Sequence, residues 1–319
     1  MKRKRDYTLR MTEVQKKALE SLLYKVKHEY RFVYMGCPVC GNDNEYIVVA
    51  TETRYRVPIT NVLCKTCGLL YTNPRLREKD FFDTYNTEYP KIFRGWREDV
   101  MGHTWKALND LGESEYEMFR KMKLISPDDK ILCVGCANGG LLNAFEKHNH
   151  EARGIEIDAS AVLDGIRRGV KLTCGTIKDI GSYEPDIVIY NDCMEHLVDP
   201  LQELRNIPKN AMLFIRTAGL RAIHENWLHC KFDYFLQYPH VTNFTAPTIA
   251  NLLAKENWKW RYMNSFVTGV FYFDEYCNIG VQNDFADSYR YIQACKEVVD
   301  YDNLLLFENK GGKTNIKYK

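Results

Sequence analysis

The sequence predicts an α/β fold in which a mainly parallel sheet is covered by helices on both faces. From residue 130 onward, apolar runs of strand length alternate with segments of helical periodicity, and a glycine-rich loop follows the first run. A chain of 319 residues with 45% hydrophobic and 27% charged residues can bury a sizeable core. No apolar run reaches the roughly 20 residues that a membrane span needs. We therefore expect no membrane partner.

The segment 1–34 predicts a basic helix at the start of the chain. Apolar side chains recur at helical spacing within residues 11–33, and residues 1–31 contain ten Lys or Arg against four acidic residues. This end lacks the apolar core of a secretory signal, so the default expectation is a cytoplasmic location. The net charge of only +2 argues against a surface built mainly for nucleic acid. The basic end is either a solvated helix or a binding arm.

Two pairs of cysteines predict a metal site within residues 35–75. Each pair has the spacing Cys-x-x-Cys and is followed by glycine, and the segment 41–63 separates the pairs. Four thiolates can surround a tetrahedral zinc ion and leave no open position, so this zinc would stabilise the fold. The intervening residues predict a hairpin with strands over 46–50 and 55–57. The predicted zinc ligands are Cys37, Cys40, Cys64 and Cys67.

The rest of the chain divides into three predicted segments. Residues 76–128 are rich in aromatic side chains and predict a helical linker or lid, residues 129–285 a ligand-binding domain, and residues 286–319 a C-terminal helix and tail. The predicted strands are 130–135, 152–157, 170–174, 185–190, 211–216 and two near 259–281. The predicted helices are 139–149, 159–168, 200–206 and 246–256.

The loop after the first strand of the alternating region predicts a nucleotide site. The run over 131–134 ends in Gly135-Cys-Ala-Asn-Gly-Gly140, and the next strand ends in the acid Glu156. The loop lets the backbone approach a ligand, and a carboxylate at this distance along the chain can accept hydrogen bonds from ribose hydroxyls. NAD, a nucleotide sugar and S-adenosylmethionine (SAM) are the candidates. The spacing Gly-x-x-x-Gly differs from the dinucleotide pattern and no Walker lysine is present, which favours SAM.

Four segments resemble class I SAM-dependent methyltransferases, especially the branch that modifies sugars and polysaccharides. Residues 133–139 are similar to the first motif of the family, and Glu195-His-Leu-Val-Asp-Pro200 matches a motif that follows its fourth strand. His240-Val-Thr-Asn-Phe-Thr245 resembles a later segment, and Cys67-Gly-Leu-Leu-Tyr-Thr-Asn-Pro74 resembles the end of a zinc module that often precedes this domain. The resemblance covers residues 35–280. It implies a Rossmann-like methyltransferase sheet preceded by a four-cysteine zinc ribbon and a helical lid.

The resemblance also implies which residues hold SAM. They would be Gly135, Cys136, Ala137 and Gly139 at the methionine part, Glu156 at the ribose, Ile157, Thr176 and Ile177 at the adenine, and Asn191 and Asp192 beside the sulfonium. Two positions depart from the family pattern. Cys133 replaces an Asp that normally helps to order the loop, and Ala137 replaces a glycine. Either SAM binds less tightly here or a neighbouring residue substitutes for the missing carboxylate.

The residues after the fourth strand offer candidates for the chemical step. His196 is the predicted base, because an imidazole can take a proton near neutral pH, and His240 is the second choice. Asp192, Glu195 and His196 could instead bind a divalent cation, an arrangement that resembles one in ubiquinone-pathway and small-RNA methyltransferases. In a third interpretation, Glu195 and His196 only cap the following helix.

The predicted function is O-methylation of a sugar, a nucleotide sugar or a glycan precursor, as in the polysaccharide biosynthesis enzymes of the resembling branch. RNA methylation is the alternative, because zinc modules also lead some ribosomal-RNA methyltransferases. A catalytically silent partner subunit that binds SAM and zinc is the third hypothesis. The sequence does not indicate an oligomeric state. An insert that carries His224 and His229 is expected to cover the substrate.

Overall fold

The structure is a computed structural model, and it describes residues 11–94, 99–221 and 232–308. The helices are α1 (Glu13–His28), α2 (Glu78–Thr87), α3 (Tyr89–Arg94), α4 (Val100–Lys121), α5 (Gly140–Lys147), α6 (Ala159–Arg167), α7 (Pro200–Arg205), α8 (Phe232–Phe235), α9 (Ala246–Ala254) and α10 (Phe285–Glu308). The strands are β1 (Phe32–Val33), β2 (Tyr46–Ala50), β3 (Asn61–Cys64), β4 (Leu70–Thr72), β5 (Arg75–Leu76), β6 (Ile131–Val134), β7 (Ala152–Glu156), β8 (Leu172–Cys174), β9 (Ile187–Asn191), β10 (Met212–Arg216), β11 (Thr242–Asn243), β12 (Trp258–Met263) and β13 (Thr268–Phe273).

A seven-stranded sheet forms the centre of the molecule. Its strand order is β12-β13-β10-β9-β6-β7-β8, with the five strands from β10 to β8 parallel and β13 and β12 antiparallel. The chain builds outward from β6 through β7 to β8, then returns to the other side of β6 to place β9 and β10. The strand order therefore reverses between β6 and β9, and a crevice opens at their carboxyl ends. The predicted Rossmann-like α/β fold is confirmed.

Alternating side chains of the central strands face two separate cores. On β6, Leu132 and Val134 belong to one buried cluster together with Leu252 of α9, and Cys133 belongs to another together with Phe119 of α4. This alternation follows from the pleat, which sends successive side chains to opposite faces. Each face of the sheet is thus covered by helices, so the strands are apolar on both faces and show no polar alternation.

The four cysteines lie in and beside a second sheet with the order β11-β4-β3-β2, in which Cys64 is the last residue of β3. The predicted first strand of its hairpin is confirmed, but the predicted second strand over 55–57 is wrong, because β2 pairs with β3 instead. Tyr55 and Arg56 have positive φ angles of 63° and 61°, which an extended strand cannot accommodate, and Pro58 has no N–H to donate to a strand ladder. The chain forms a short 3-10 turn at Arg54–Arg56 before β3 begins.

The cysteine sheet is joined to the central domain rather than separated from it. Strand β11 follows β10 of the central sheet in sequence, yet it pairs with β4, with Thr242 opposite Tyr71. The buried cluster that contains Cys37 and Cys67 also contains Val134 of the central sheet. The two sheets are consequently linked by a shared chain segment and a common core.

The segment predicted as a helical lid divides into two parts. Helix α4 packs on α5, and the ring of Phe119 lies 4.9 Å from that of Phe214 on β10, so α4 is part of the covering layer of the sheet. Helices α2 and α3 pack elsewhere, in a cluster with α1. Within this cluster the amide of Gln15 on α1 donates to the carbonyl of Ile92 at 2.8 Å.

Parts of the predicted organisation lie outside the described residues. These are the basic residues 1–10, the insert residues His224 and His229, and the tail over 309–319. Within the ranges that the structure describes, no helix has the length and apolar character needed to cross a membrane.

Candidate active site

Two cavities adjoin at the carboxyl ends of the parallel strands. The larger has a volume of about 920 Å³ and the smaller about 180 Å³. Both are lined by Gly135, Glu156, Asp192, His196 and Tyr85. Four of these residues lie at or after the carboxyl ends of β6, β7 and β9, and Tyr85 is on α2. The cavities therefore meet at the point where the strand order reverses.

The glycine loop gives the shared wall its shape. Gly135 has a φ angle of +70°, and a Cβ there would lie only 2.5 Å from the sulfur of Cys193. No side chain fits at this position. Ala137 also has a positive φ angle, +49°, so its backbone adopts a left-handed conformation that glycine adopts more easily. Cys136 and Ala137 line the larger cavity.

The Glu156 carboxylate is fixed by backbone amides. Its Oε2 accepts a hydrogen bond from the N–H of Ala137 at 2.8 Å, and its Oε1 accepts one from the N–H of Asp158 at 2.9 Å. The residue is 6% exposed and lines both cavities. A carboxylate has about four acceptor sites, so each oxygen retains capacity for a ligand hydroxyl. The loop thus orients the Glu156 carboxylate and leaves acceptor sites on both of its oxygens for a ligand.

The remaining residues predicted to hold SAM lie in three places. Ile157 and Thr176 line the smaller cavity, and Asn191 lines the larger one. Ile177 is fully buried in the core below, and it lines neither cavity. Gly139 is the left-handed N-cap of α5, and a Cβ there would contact Val170 behind the loop. The structure therefore brings most, but not all, of the predicted set to the cavities.

Glu195, His196 and His240 form one cluster in the larger cavity. One ligand atom from each lies within 4.8 Å of the others, and the two imidazole rings are perpendicular with centroids 4.8 Å apart. Asp192 lines both cavities but is not a member of this group. The set that could hold a cation here thus contains His240 in the place that the sequence predicted for Asp192.

The hydrogen bond of His196 selects its tautomer. Its Nδ1 lies 3.1 Å from the carbonyl oxygen of Pro239, which can only accept. In the neutral ring Nδ1 must then carry the proton, and Nε2 has the lone pair. The rings of Tyr85 and Tyr89 approach His196 edge-on, with centroids at 5.8 and 6.0 Å. The hydrogen bond therefore orients the His196 ring and makes Nε2 its basic nitrogen.

Burial changes the ionisation of the acids and imidazoles in the larger cavity. Although Asp192 as a whole is exposed, desolvation by the cavity walls raises the pKa of its carboxyl group to about 6, an effect that neighbouring Glu195 strengthens. Burial also raises the pKa of Glu195, although the hydroxyl of Thr217 and the N–H of Ala218 donate to its carboxylate. His240 has a pKa well below its ordinary value, because it is buried and lies beside His196. Perturbed groups that line one cavity are typical of a functional site.

Sequence reasoning missed Glu115 and Arg216. Glu115 lies on α4, is 4% exposed and lines the larger cavity, where its Oε1 is 3.6 Å from the guanidinium of Arg216 at the end of β10. A signal was present: Glu115 follows Leu108 and Leu111 and precedes Phe119 at helical spacing, which places an acid on the apolar face of the helix.

The four predicted zinc ligands converge. Their sulfur atoms all lie within 4.8 Å of one another, with 3.5 Å between Cys37 and Cys67 and 3.5 Å between Cys40 and Cys64. Each pair closes the same turn, in which the glycine N–H donates to the carbonyl of the first cysteine. A Cβ at Gly68 would lie 2.5 Å from the backbone of Asp284, so this turn requires glycine. Four convergent sulfurs suit a tetrahedral zinc ion.

One known protein family is similar to a part of this chain. A family model described as methionine biosynthesis protein MetW matches residues 115–219. The match extends from Glu115 on α4 to just beyond β10, and it includes neither the cysteine sheet nor His240. No curated protein matches the sequence.

Several solved structures are similar at low identity. The plantazolicin methyltransferase BpumL, in complex with a triazolic desmethylPZN analog and SAH, is 14% identical over 64% of this chain and 85% of its own, with a TM-score of 0.41. A protein from Pyrococcus horikoshii OT3 is 16% identical over 50% of this chain and 90% of its own, with a TM-score of 0.40. A TehB-like SAM-dependent methyltransferase from Corynebacterium glutamicum is 14% identical over 54% of this chain and 96% of its own, with a TM-score of 0.39.

Proposed function

We propose that this protein is a SAM-dependent methyltransferase. One observation carries the proposal: the glycine loop, Glu156 and Asp192 meet at the carboxyl ends of β6, β7 and β9, where two cavities join. Ligands of open α/β sheets bind at this position. The match of residues 115–219 to the MetW model covers the same strands and supports the proposal.

The two cavities fit the two parts of the donor. The smaller one, beside Ile157 and Thr176, would take the adenine ring. The larger one, beside Cys136 and Asn191, would take the methionine part. Glu156 lines both, which is where the ribose that joins the two parts would lie, and its carboxylate can accept from the ribose hydroxyls.

His196 is the group that we assign to proton removal. Bound SAM supplies a methyl group on a sulfonium sulfur. When an acceptor oxygen forms a bond to that carbon, the sulfur keeps the electrons of the broken bond, and the hydroxyl proton must leave. Nε2 of His196 is the acceptor for this proton, because Nδ1 is committed to the carbonyl of Pro239. Glu195 lies in the same cluster and adds negative charge that favours the imidazolium.

A divalent cation is the alternative role for the cluster. The donor set of Glu195, His196 and His240 suits Mg²⁺ or Mn²⁺ less well than Zn²⁺, because two of the three ligands are nitrogen. Elemental analysis can count the Zn²⁺ ions bound per chain in the wild type and in His240→Asn. Two ions in the wild type and one in the variant would replace the base assignment, whereas one ion in both would support it.

A sugar hydroxyl is our proposal for the acceptor, within a sugar, a nucleotide sugar or a glycan precursor. Tyr85 and Tyr89 line the larger cavity together with the amide side chains of Gln237 and Asn264. Aromatic rings can stack on the apolar face of a sugar, while amides bond to its hydroxyls. The resemblance to sugar methyltransferases in the motif over 195–200 supports the same choice.

The four cysteines are proposed to hold a structural zinc ion. Their four sulfurs would fill a tetrahedral coordination sphere, so this metal would stabilise the cysteine sheet and take no part in the chemistry. The sheet contributes to the site indirectly, because β11 follows His240 in the chain and pairs with β4.

Calorimetry with SAM and with S-adenosylhomocysteine (SAH) tests the donor assignment. Binding of both is expected, and the absence of heat with both would overturn the donor assignment. Isotope-labelled SAM, incubated with nucleotide sugars, glycans and RNA and followed by mass spectrometry, then tests the acceptor. Transfer to RNA alone, with affinity that falls steeply with salt, would overturn the sugar assignment and leave the donor assignment intact.

A further inference from the structure

Glu115 has an unusual position for a buried carboxyl group. Its Oε1 accepts a hydrogen bond from the amide of Asn191 at 3.0 Å and lies 3.6 Å from the guanidinium of Arg216. Its Oε2 is buried and accepts no hydrogen bond from any residue that the structure describes. Oδ1 of Asn191 is buried and equally without a donor among those residues. Two acceptor atoms of residues that line the larger cavity therefore lack a donor within the described part of the chain.

Such atoms are costly unless something donates to them. A buried polar atom without its hydrogen bond destabilises the folded state, and a charged one does so more strongly. Desolvation raises the pKa of Glu115 to about 7, so burial penalises the anion in the ligand-free protein. A ligand that brought several N–H donors and a positive charge would remove both penalties.

The position also matches a gap in the glycine-loop motif. Cys133, at the end of β6, occupies the place of the motif's Asp, and burial raises the pKa of its thiol well above the ordinary value. This strand end therefore carries no anion of its own. Glu115 lies close enough for its charge to act on the Cys133 thiol, and both residues line the larger cavity with Gly135.

We infer that Glu115, together with Asn191, binds the α-ammonium group in the methionine part of the donor. Helix α4 thereby supplies the carboxylate that the loop motif lacks at Cys133. The inference rests on the proposed function. The ammonium has three N–H donors, which matches the two unpartnered oxygens with one donor to spare. Arg216 holds the other carboxylate oxygen and so keeps Glu115 in place.

Three ligands that differ only in the amino-acid part test this inference. They are SAH, the desamino analogue of SAH, and 5′-methylthioadenosine, which has the nucleoside but no amino acid. Calorimetry measures each with the wild type, Glu115→Gln and the control Glu113→Gln. Glu113 is on the same helix but 39% exposed, and it bonds to Lys147 and His148 instead of lining the cavity.

The expected pattern is specific to the amino group. Wild type should bind SAH about 10- to 100-fold more tightly than its desamino analogue, the range for hydrogen bonds to charged groups. Glu115→Gln should lose most of that difference while binding methylthioadenosine like the wild type, and Glu113→Gln should match the wild type throughout.

Three outcomes would overturn the inference and leave the methyltransferase proposal standing. They are equal affinity of wild type for SAH and the desamino analogue, an unchanged affinity of Glu115→Gln for SAH, and an equal loss of SAH and methylthioadenosine in that variant. The first of these needs only the wild type, so it applies even if the variant fails to fold. Failure of wild type to bind any of the three ligands would instead overturn the proposed function and this inference with it.

Discussion

The two halves of the crevice are built in different ways. The nucleotide half consists of the glycine loop, Glu156, Ile157 and Thr176, which lie at or just after the ends of three consecutive strands within the single segment 131–176. The acceptor half is gathered from Tyr85 on α2, His196 after β9, Thr217 after β10 and His240 before β11. A contiguous motif thus builds one half, and long-range packing builds the other.

The two halves also differ in how their charged groups are treated. In the nucleotide half, backbone amides at 2.8 and 2.9 Å satisfy the Glu156 carboxylate. In the acceptor half, burial raises the pKa of Glu195 and lowers that of His240. The nucleotide half is therefore organised to recognise a fixed ligand, whereas the acceptor half is organised to move a proton.

Loss of the cysteine-bound metal should affect the acceptor half far more than the nucleotide half. We expect wild type to hold one zinc per chain and Cys64→Ser to hold none, since removing structural zinc forfeits on the order of 10 kcal/mol of binding energy that folding uses. Hydrogen–deuterium exchange should accelerate over 61–72 and 240–243, because β4 and β11 pair there. Exchange over 131–158 should change little, and elemental analysis checks the metal. Equal acceleration in both regions would show that the two halves are not independent.

Substitution of His196 should separate chemistry from donor binding. His196→Asn is expected to lower turnover by about 10²- to 10⁴-fold, because the acceptor proton loses its base, while SAH affinity stays within about twofold. Steady-state kinetics and calorimetry measure the two quantities. His103→Asn, an exposed histidine on α4, is the matched control. If turnover of His196→Asn falls by less than threefold, another group must remove the proton from the acceptor hydroxyl.

Substitution of Glu156 should have the opposite effect. We expect Glu156→Gln to weaken SAH and methylthioadenosine alike, by about 10- to 100-fold, because both contain the ribose whose hydroxyls the carboxylate accepts. Turnover at saturating SAM should change much less. An effect on SAH alone would place Glu156 at the amino-acid part and contradict the assignment of the smaller cavity to the adenine.

The smallest expected effect concerns the stability of the ligand-free protein as a function of pH. The pKa of Glu115 is about 7 in the folded chain and 4.5 in the reference state, so between these values the folded state holds a proton that the unfolded state has lost. The free energy of unfolding then falls as pH rises from 4.5 to 7. Glu115→Gln should remove this slope, gaining on the order of 1–3 kcal/mol over wild type at pH 8 and nothing at pH 4. Denaturant unfolding at several pH values measures the free energy of unfolding of both proteins. If the wild type and Glu115→Gln show the same dependence on pH, then Glu115 does not destabilise the ligand-free protein.

The sequence predicted the contiguous features well. Strands β6, β7, β9 and β10 lie where the apolar runs indicated, because strands buried on both faces must be continuously apolar. The hairpin partner in the cysteine unit was wrong, since the β-like residues at 55–57 adopt a turn before Pro58. Residues 76–128 were predicted as a helical lid or linker, and the segment is helical, with α4 packed on the sheet and α2 beside the cavities. Helical periodicity shows which face of a helix is apolar, but it does not show which element that face packs against.

By itself the sequence determined the α/β order of elements, the Gly135 loop with its acid at Glu156, and the two cysteine pairs. Each is a local pattern whose spacing reflects a turn, a strand length or a metal geometry. Only the tertiary structure decided that His240 joins Glu195 and His196, that β11 ties this cluster to the cysteine sheet, and that Glu115 lies near the position left by Cys133. These groupings depend on which distant faces pack together, and no local spacing in the chain records that choice.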